Sequence, residues 1–321
     1  MCRPRVGRRN KVPKMTDTGR LRTLLDRSEF VITAEMTPLL TTDPDEFRAA
    51  AQPLKGRADA VNVTDAAGAR VSMSSMAAAT LLLRDGIEPV MQITCRDRNR
   101  IAIANDLIGA AALGIRNLLV LTGDDPKGGD EPDAMPVFDL ASSEIIAIAR
   151  RMSDRGEVPS GRTLSGGPSW LVGAADLPFD PPSDWKPDSL IEKIDAGAEF
   201  IQTQFCFEPK VARRYFTRLG DFGILDKLSF IVGVGPIASA RSAKWMHDNL
   251  HGVSVPDAII KRLQGADDQA AEGRKICCEL IQEYHQMPGV SGVHVMAPAQ
   301  DAHSIADVID ASMVLTPAKA N

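Results

Sequence analysis

The sequence predicts an α/β fold, a (β/α)8 TIM barrel built as a single domain with extra helices. Eight short β-rich runs alternate with helical stretches from residue 30 onward. Most of them start about thirty residues apart, the length of a strand plus its crossover helix. Their near-continuous apolar character suits parallel strands buried on both faces. The chain has 321 residues, 44% apolar and 25% charged, a globular balance that leaves room for one large barrel. An open doubly wound sheet is the alternative. It usually carries a Gly-rich phosphate turn after its first strand, and none follows Met36.

Residues 1–20 are dense in Arg and Lys and poor in apolar side chains. A secretory signal needs a hydrophobic stretch and a transit peptide an amphipathic one, so neither is read here. A disordered basic tail is expected, or a start called too early with Met15 as the true start; a nucleic-acid arm would want aromatics. The barrel is expected over 21–315.

The strands are expected at 30–36 (FVITAEM), 60–65 (AVNVTD), 88–94 (EPVMQIT) and 117–123 (NLLVLTG). The second half repeats them at 169–175 (SWLVGAA), 199–205 (EFIQTQF), 229–235 (SFIVGVG) and 292–298 (GVHVMAP). Asp43-Pro44 opens the first crossover helix as an N-cap with Pro in the first turn. Leu107, Ile108, Ala111 and Ala112 are read as one face of the next long helix, closed by Gly114. Helices are also expected at 140–152, 189–196, 209–219, 267–287 and 302–313. Two connections are long. Residues 124–140, rich in Pro, Gly and Asp, form a functional or mobile loop, and 150–168 a solvated excursion.

The net charge of −5 gives no global reason to bind nucleic acid or acidic membranes. No apolar run approaches the roughly 18 residues of a membrane helix. Five cysteines without a CxxC pair suggest reduced, buried thiols in a cytoplasmic protein rather than a disulfide or zinc framework. His247 and His251 have i, i+4 spacing, but Gly252 follows at once and no acidic third ligand is obvious. They read as a helix end serving its last carbonyls, and no metal site is expected.

Active residues of such barrels sit at the C-terminal ends of strands. Glu35 shares a strand face with Val31 and Thr33. A carboxyl there loses solvation, its pKa should rise, and it can serve as a general acid; a structural salt bridge is the alternative. Asp124 closes LTGDDP, where Gly123 lets backbone approach a ligand and the carboxylate accepts from a heterocycle's N–H groups. The alternative, a turn aspartate before proline, suits Asp125 better. Gln204 is an amide on an apolar strand, satisfied by a heterocycle or by backbone or Gln202. Arg96 and Arg98, where strand three turns into a helix, suit a phosphate or else a solvated charged turn. The GVG at 233–235 is too short for a dinucleotide fingerprint.

The run QITCRDRNRIAIANDLIGAAALGIRNLLVLTGDDPKGGDEPDAMPVFDL (92–140), with KIDAGAEFIQTQFCF (193–207), resembles the 5,10-methylenetetrahydrofolate reductase family. The similarity extends more thinly from about Phe30 to about Ile309. It implies a barrel that binds a flavin, usually FAD, reduced by NADH or NADPH, which passes hydride to the methylene carbon of a tetrahydrofolate derivative. FMN, or direct transfer without flavin, is the alternative. Glu35 then matches the acid that opens the folate's imidazolidine ring. Asp124 matches an aspartate near flavin and pterin, and Gln204 a pterin contact. Thr64 matches a flavin-contacting threonine, and Lys193 a lysine on the flavin's phosphate side. Thr94, Cys95, Arg96, Arg98, Gly123, Asp139 and Ala175 complete the implied cofactor side.

Departures fall mainly on that side. Gln92 stands where many members have histidine, Thr122 where arginine precedes the Gly-Asp step, and Asp176 where tyrosine is common. Met36-Thr37-Pro38 replaces two aromatics and proline. Ser242 and Met246, on the helix after strand seven, occupy positions where members contact substrate or nicotinamide with larger groups. A folate- or flavin-binding subunit needing a partner electron donor is the rival function, and running in reverse, as methyltetrahydrofolate oxidation, a third. Assembly into a homo-oligomer is expected from the family.

Overall fold

A computed structural model describes residues 18–298 and 300–315. The tail at 1–17, with Cys2 and Met15, lies outside the described residues. Eight parallel strands close into a barrel in chain order. They are β1 (Val31–Met36), β2 (Ala60–Val63), β3 (Pro89–Thr94), β4 (Asn117–Leu121), β5 (Leu171–Asp176), β6 (Phe200–Phe205), β7 (Ser229–Val234) and β8 (Gly292–Val295). All eight expected strands form; β2, β4, β7 and β8 end earlier than expected, where their last residues turn into loops, and β1, β3, β5 and β6 start one or two residues later. β1 pairs with β8 from Val31↔Gly292 to Ala34↔Val295, which closes the barrel and excludes the open sheet.

Alternation sorts the strand residues. Ile32, Ala34 and Met36 point outward into the shell packed by helices. Val31, Ala60, Val90, Leu119, Leu171, Phe200 and Ile231 fill the barrel floor together with Leu21 and Leu25 of α1 (Arg20–Asp26), which plugs the N-terminal end. Phe200 fits because residue 173 is glycine: a Cβ there would lie 2.2 Å from its ring.

The crossover helices are α2 (Pro44–Ala51), α3 (Ser75–Arg84), α4 (Arg100–Ala112), α5 (Ser142–Arg155), α6 (Asp188–Ala196) and α7 (Pro209–Asp221). Three more, α8 (Ala240–Asn249), α9 (Asp257–Gln264) and α10 (Gln269–His285), lie between β7 and β8, and α11 (Ala302–Leu315) follows β8. Asp43 caps α2 as expected, accepting from Asp45 N at 2.9 Å. The buried face of α4 is a correction. Ile103, Leu107 and Ala110 form it, at i, i+4 and i+7, while Ile108 and Ala112 face solvent. His247 also differs from expectation: its Nδ1 accepts from Val255 N in the following loop, 3.2 Å away, and His251 lies beyond the helix. The start of the 150–168 stretch is still helix; its remainder closes through a Glu157–Thr163 bridge. Residues 124–140 hold one 3-10 turn, Pro126–Gly128, and are otherwise irregular.

Cys95, Cys206, Cys277 and Cys278 are buried free thiols. Burial pushes the Cys95 thiol up to about 11. Among the described residues no helix is long and apolar enough to cross a membrane, and no cluster of three or more His, Cys, Asp and Glu side chains is placed to hold a metal.

Candidate functional site

Buried polar side chains also line the barrel interior. Thr33 Oγ1 and His294 Nδ1 share a hydrogen bond of 2.8 Å between β1 and β8. Asn62 Nδ2 donates across the interior to Gln202 Oε1 at 2.6 Å. His294 is fully buried, and its Nε2 makes no hydrogen bond. It lies 3.6 Å from Glu35 Oε2, one turn of the alternation above Thr33. Glu35 therefore faces the interior, as its strand pattern predicts, with its side chain 24% exposed. It also lines a cavity of about 870 Å³ formed by the loops after β1, β2 and β8 together with Ala49 and Ala50 of α2, Pro53 and the start of α11. The rest of its wall is mostly apolar, with Met36, Pro38, Leu39, Ala297 and Ile305 among the lining residues.

The other two members of the expected triad do not line that cavity. Asp124 Oδ2 accepts from Gly68 N at 2.7 Å. That N–H is presented because Ala66 and Ala69 adopt positive φ, a conformation that turns the loop after β2 back over the mouth. Asp130 clasps the same loop through Val71 N at 3.0 Å, and a Cβ on Gly129 would fall 1.9 Å from Ala69 O. Gln204 Oε1 accepts from the next amide, Phe205 N, at 2.9 Å, so the backbone alternative holds for its oxygen. The strand is irregular there: pairing with β7 shifts between Gln202 and Phe205, and Thr203 Oγ1 donates to Gln204 O while accepting from Gly233 N. Glu35, Asp124 and Gln204 thus share the C-terminal rim but have different immediate partners.

The arginines after β3 are internally paired. Arg98 donates from both terminal nitrogens to Asp65, at 2.7 and 2.9 Å, and from Nε to Asp106 at 2.9 Å. Asp65 also accepts from Thr94 N and Oγ1. Burial opposes charge on Asp65, but the Arg98 bonds and charge outweigh it and hold the carboxyl below its usual range. For Asp106 burial wins and its pKa is raised. Arg96 is 2% exposed; it grips Asp97 and donates to Asp124 O and Ala66 O. Arg100 pairs with Asp139, which its bonds pull down to about 2. Asn99 caps α4 by accepting from Ile101 N and Ala102 N. The expected phosphate site therefore has neither a free guanidinium nor an uncapped first turn, and the solvated-turn alternative fails for Arg96 and Arg98 as well.

The remaining expected cofactor residues divide. Thr64 is 2% exposed and its hydroxyl has no partner. Gln92 is buried on the same inward face as Thr94. Gly123 has φ +93°, and a Cβ there would meet Arg96 Cβ at 2.9 Å. Thr122 is exposed. Cys95 alternates outward, its thiol donating to Leu121 O at 3.2 Å. Lys193 Nζ donates to Ala175 O at 2.7 Å, which brings it to the end of β5. Beside it Asp176 accepts from the Tyr215 hydroxyl, and burial raises its carboxyl. Of the α8 pair, Ser242 is spent in a reciprocal cap with Ser239, and Met246 is buried in the core. His294 carries no sequence motif that marks it as functional, although alternation from Gly292 already turns it inward.

This set fits a planar ring better than a flavin nucleotide. The orphaned Thr64 hydroxyl, buried Gln92 and side-chain-free Gly123 offer a ring one polar anchor and close backbone. On the phosphate side, Arg96, Arg98 and Arg100 are each held by carboxylates, which leaves Lys193, bonded to Ala175 O through one of its three N–H groups.

A family model described as methylenetetrahydrofolate reductase matches residues 20–312. Methylenetetrahydrofolate reductase 2 of Schizosaccharomyces pombe is 31% identical over 64% of this chain and 32% of its own length. A probable methylenetetrahydrofolate reductase (NADPH) of Caenorhabditis elegans is 26% identical over 70% of this chain and 32% of its own. The 5,10-methylenetetrahydrofolate reductase of Escherichia coli is 26% identical over 60% and 58%. The chain thus matches about a third of each eukaryotic relative and under two thirds of the bacterial one. A solved structure from Clostridium thermocellum, described as an uncharacterized protein that binds two copies of 5-methyl-5,6,7,8-tetrahydrofolic acid, superposes with a TM-score of 0.62 at 13% identity. It covers 92% of this chain and 98% of that one, and supports the fold.

Proposed function

The chain belongs to the methylenetetrahydrofolate reductase family, and from that premise we propose that it reduces 5,10-methylenetetrahydrofolate to 5-methyltetrahydrofolate with electrons from NADH or NADPH. The observation that carries this is Glu35: a carboxyl facing the barrel interior at the edge of a substrate-sized cavity, backed by a buried histidine. The C. thermocellum fold neighbour's bound methyltetrahydrofolate is consistent with it.

The chemistry needs one proton and one hydride. Glu35 gives its proton to N10 of the folate, the bond from N10 to the bridging carbon breaks, and N5 carries that carbon as an iminium. Hydride then reaches the methylene carbon, giving the methyl group, and the Glu35 carboxylate recovers a proton from solvent. The Asp124 charge, on the same rim, stabilises the cationic intermediate. In reverse the same residues oxidise methyltetrahydrofolate, the direction following metabolite levels. His294, held by Thr33, positions Glu35. His294→Ala should lower kcat by about tenfold, or ~1.4 kcal/mol, with KM little changed, and His294→Gln should restore part of it. A rise in KM at constant kcat would place His294 in ground-state binding instead.

Members of the family generally use a flavin, FAD by resemblance. The carboxylate-paired arginines favour a second route, direct hydride transfer from the nicotinamide. The purified chain distinguishes the two. Without the absorption bands of oxidised flavin, and with methyltetrahydrofolate formed from NAD(P)H alone, the direct route stands. Bound flavin released on denaturation restores the flavin route. Folate binding without turnover supports a subunit that needs a partner donor. The buried free thiols fit the reducing, cytoplasmic setting expected from sequence.

A further inference from the structure

The helix α4 is apolar on two opposite faces. Ile103, Leu107 and Ala110 turn inward, but Ile101, Ile108 and Ala112, at i, i+7 and i+11, form a line along the outer face and are exposed. Both charged residues of the helix are paired, Arg100 with Asp139 and Asp106 with Arg98. α3 runs alongside, close enough that a Cβ on Gly109 would meet Met76 Sδ at 3.4 Å, and carries no charge before Arg84. Elsewhere in the outer ring α5 and α7 hold five charged residues each. A helix that is apolar all round is normally covered all round.

The apolar surface continues onto the loop at the first turn of α4. Asp139 accepts from Arg100 N at 2.9 Å, and Val137 N donates to Arg96 O at 2.7 Å. Beside these anchors Met135, Val137 and Phe138 face solvent, Met135 being 86% exposed. Phe138 has φ +40°, a left-handed backbone that bulky residues seldom adopt, and its ring is still exposed. Of the twelve large apolar side chains exposed among the described residues, six belong to α4, its C-cap Leu113 or this loop.

We propose that this face joins two copies of the chain about a two-fold axis, α4 and residues 135–138 of one against those of the other. Such a contact sets a surface against itself, so any net charge on it repels its own copy. On this face the charges cancel in pairs, whereas the chain as a whole stands at −5 and repels its copy elsewhere. At their fractional exposures Ile101, Ile108, Met135, Val137 and Phe138 together show roughly 500 Å² of apolar surface, toward the upper end of what a soluble monomer leaves in one patch. Asn105, Ala112 and Ala77 of α3 are exposed as well and extend it toward the ~800 Å² that each partner gives to a standard interface. The contact lies on the outer wall of the barrel and holds whether or not the folate reading does.

Sedimentation velocity of the full chain over a range of concentrations tests this. The wild type should run at twice the chain mass. Ile108→Glu sets two carboxylates in the contact and should raise the dimer dissociation constant at least about a hundredfold. Ile101→Glu should act alike, and an acid in the first turn of α4 suits the helix dipole, so the fold is kept. Ile108→Lys should dissociate the dimer too, and an equimolar mixture of the Ile108→Glu and Ile108→Lys chains should restore it, because unlike charges then share one face. Ile191→Glu, at an exposed apolar position on α6, should leave the dimer intact. Far-UV circular dichroism equal to wild type separates a lost contact from a lost fold. The assignment falls if the wild type is monomeric throughout, which would leave the face to a different partner. It falls equally if both Glu variants on α4 keep the wild-type mass, if the mixture stays monomeric, or if Ile191→Glu dissociates the dimer as well.

Discussion

Replacing Glu35 with glutamine should lower folate reduction by about 10²–10⁴-fold while methyltetrahydrofolate still binds. Glutamine keeps the shape of the side chain and its place 3.6 Å from His294, but it has no acidic proton to give. The loss should therefore fall on kcat, because the missing event occurs only as the imidazolidine ring opens. A titration with 5-methyltetrahydrofolate measures binding, and initial rates with NADH or NADPH measure turnover. Retained turnover within about threefold of wild type would remove Glu35 as the acid. Glu35 is the natural choice on this rim because it combines an inward-facing strand carboxyl with a place in the large cavity. Asp124 is tied to Gly68, so Asp124→Asn should disturb the loop after β2 as well as the reaction.

The largest effect on stability is expected at Asp65. Its carboxylate is 5% exposed and collects both terminal nitrogens of Arg98 together with the amide and hydroxyl of Thr94. Asp65→Ala would leave a largely buried guanidinium facing an empty acceptor, a change that costs about 3–5 kcal/mol. Asp106 keeps one bond to Arg98, which places the loss toward the lower end. The denaturant midpoint at neutral pH measures it, and a midpoint equal to wild type would show that the cluster contributes nothing net. The pH dependence has a definite sign. Asp65 has a lower pKa folded than unfolded, so its contribution is complete above the ordinary aspartate value of about 4. It is lost as pH falls from there through the folded value. Wild type should lose this contribution on acidification below about pH 4, and Asp65→Asn, which has no proton to take up, should lose less over the same interval.

Much of the architecture was legible because it rests on local regularities. Strand spacing and β-rich runs placed all eight strands, and alternation through Val31, Thr33 and Glu35 turned the carboxyl inward. The same rule, applied to Gly292 and His294, points the histidine inward too. The α4 face was misread because Leu107, Ile108, Ala111 and Ala112 are all apolar, and composition alone does not say which three meet the barrel. The resemblance in 92–140 located the rim residues, but residue types could not show which were already engaged. Arg98 and Asp65 are 33 residues apart, and Asp124 and Gly68 are 56 apart. A guanidinium looks alike in sequence whether it awaits a phosphate or holds a carboxylate.

The sequence by itself determined that eight alternating β/α units form and that Glu35 shares a strand face with Val31 and Thr33, because strand length, crossover length and two-residue alternation are properties of short segments. The tertiary structure decided the partners. Thr33 and His294 meet across 261 residues only because β8 returns to β1, and Arg70 reaches the Glu35 cavity only because the loop after β2 folds back over the mouth. Short-range pattern sets which way a side chain points; barrel closure and loop clasping set what it meets there.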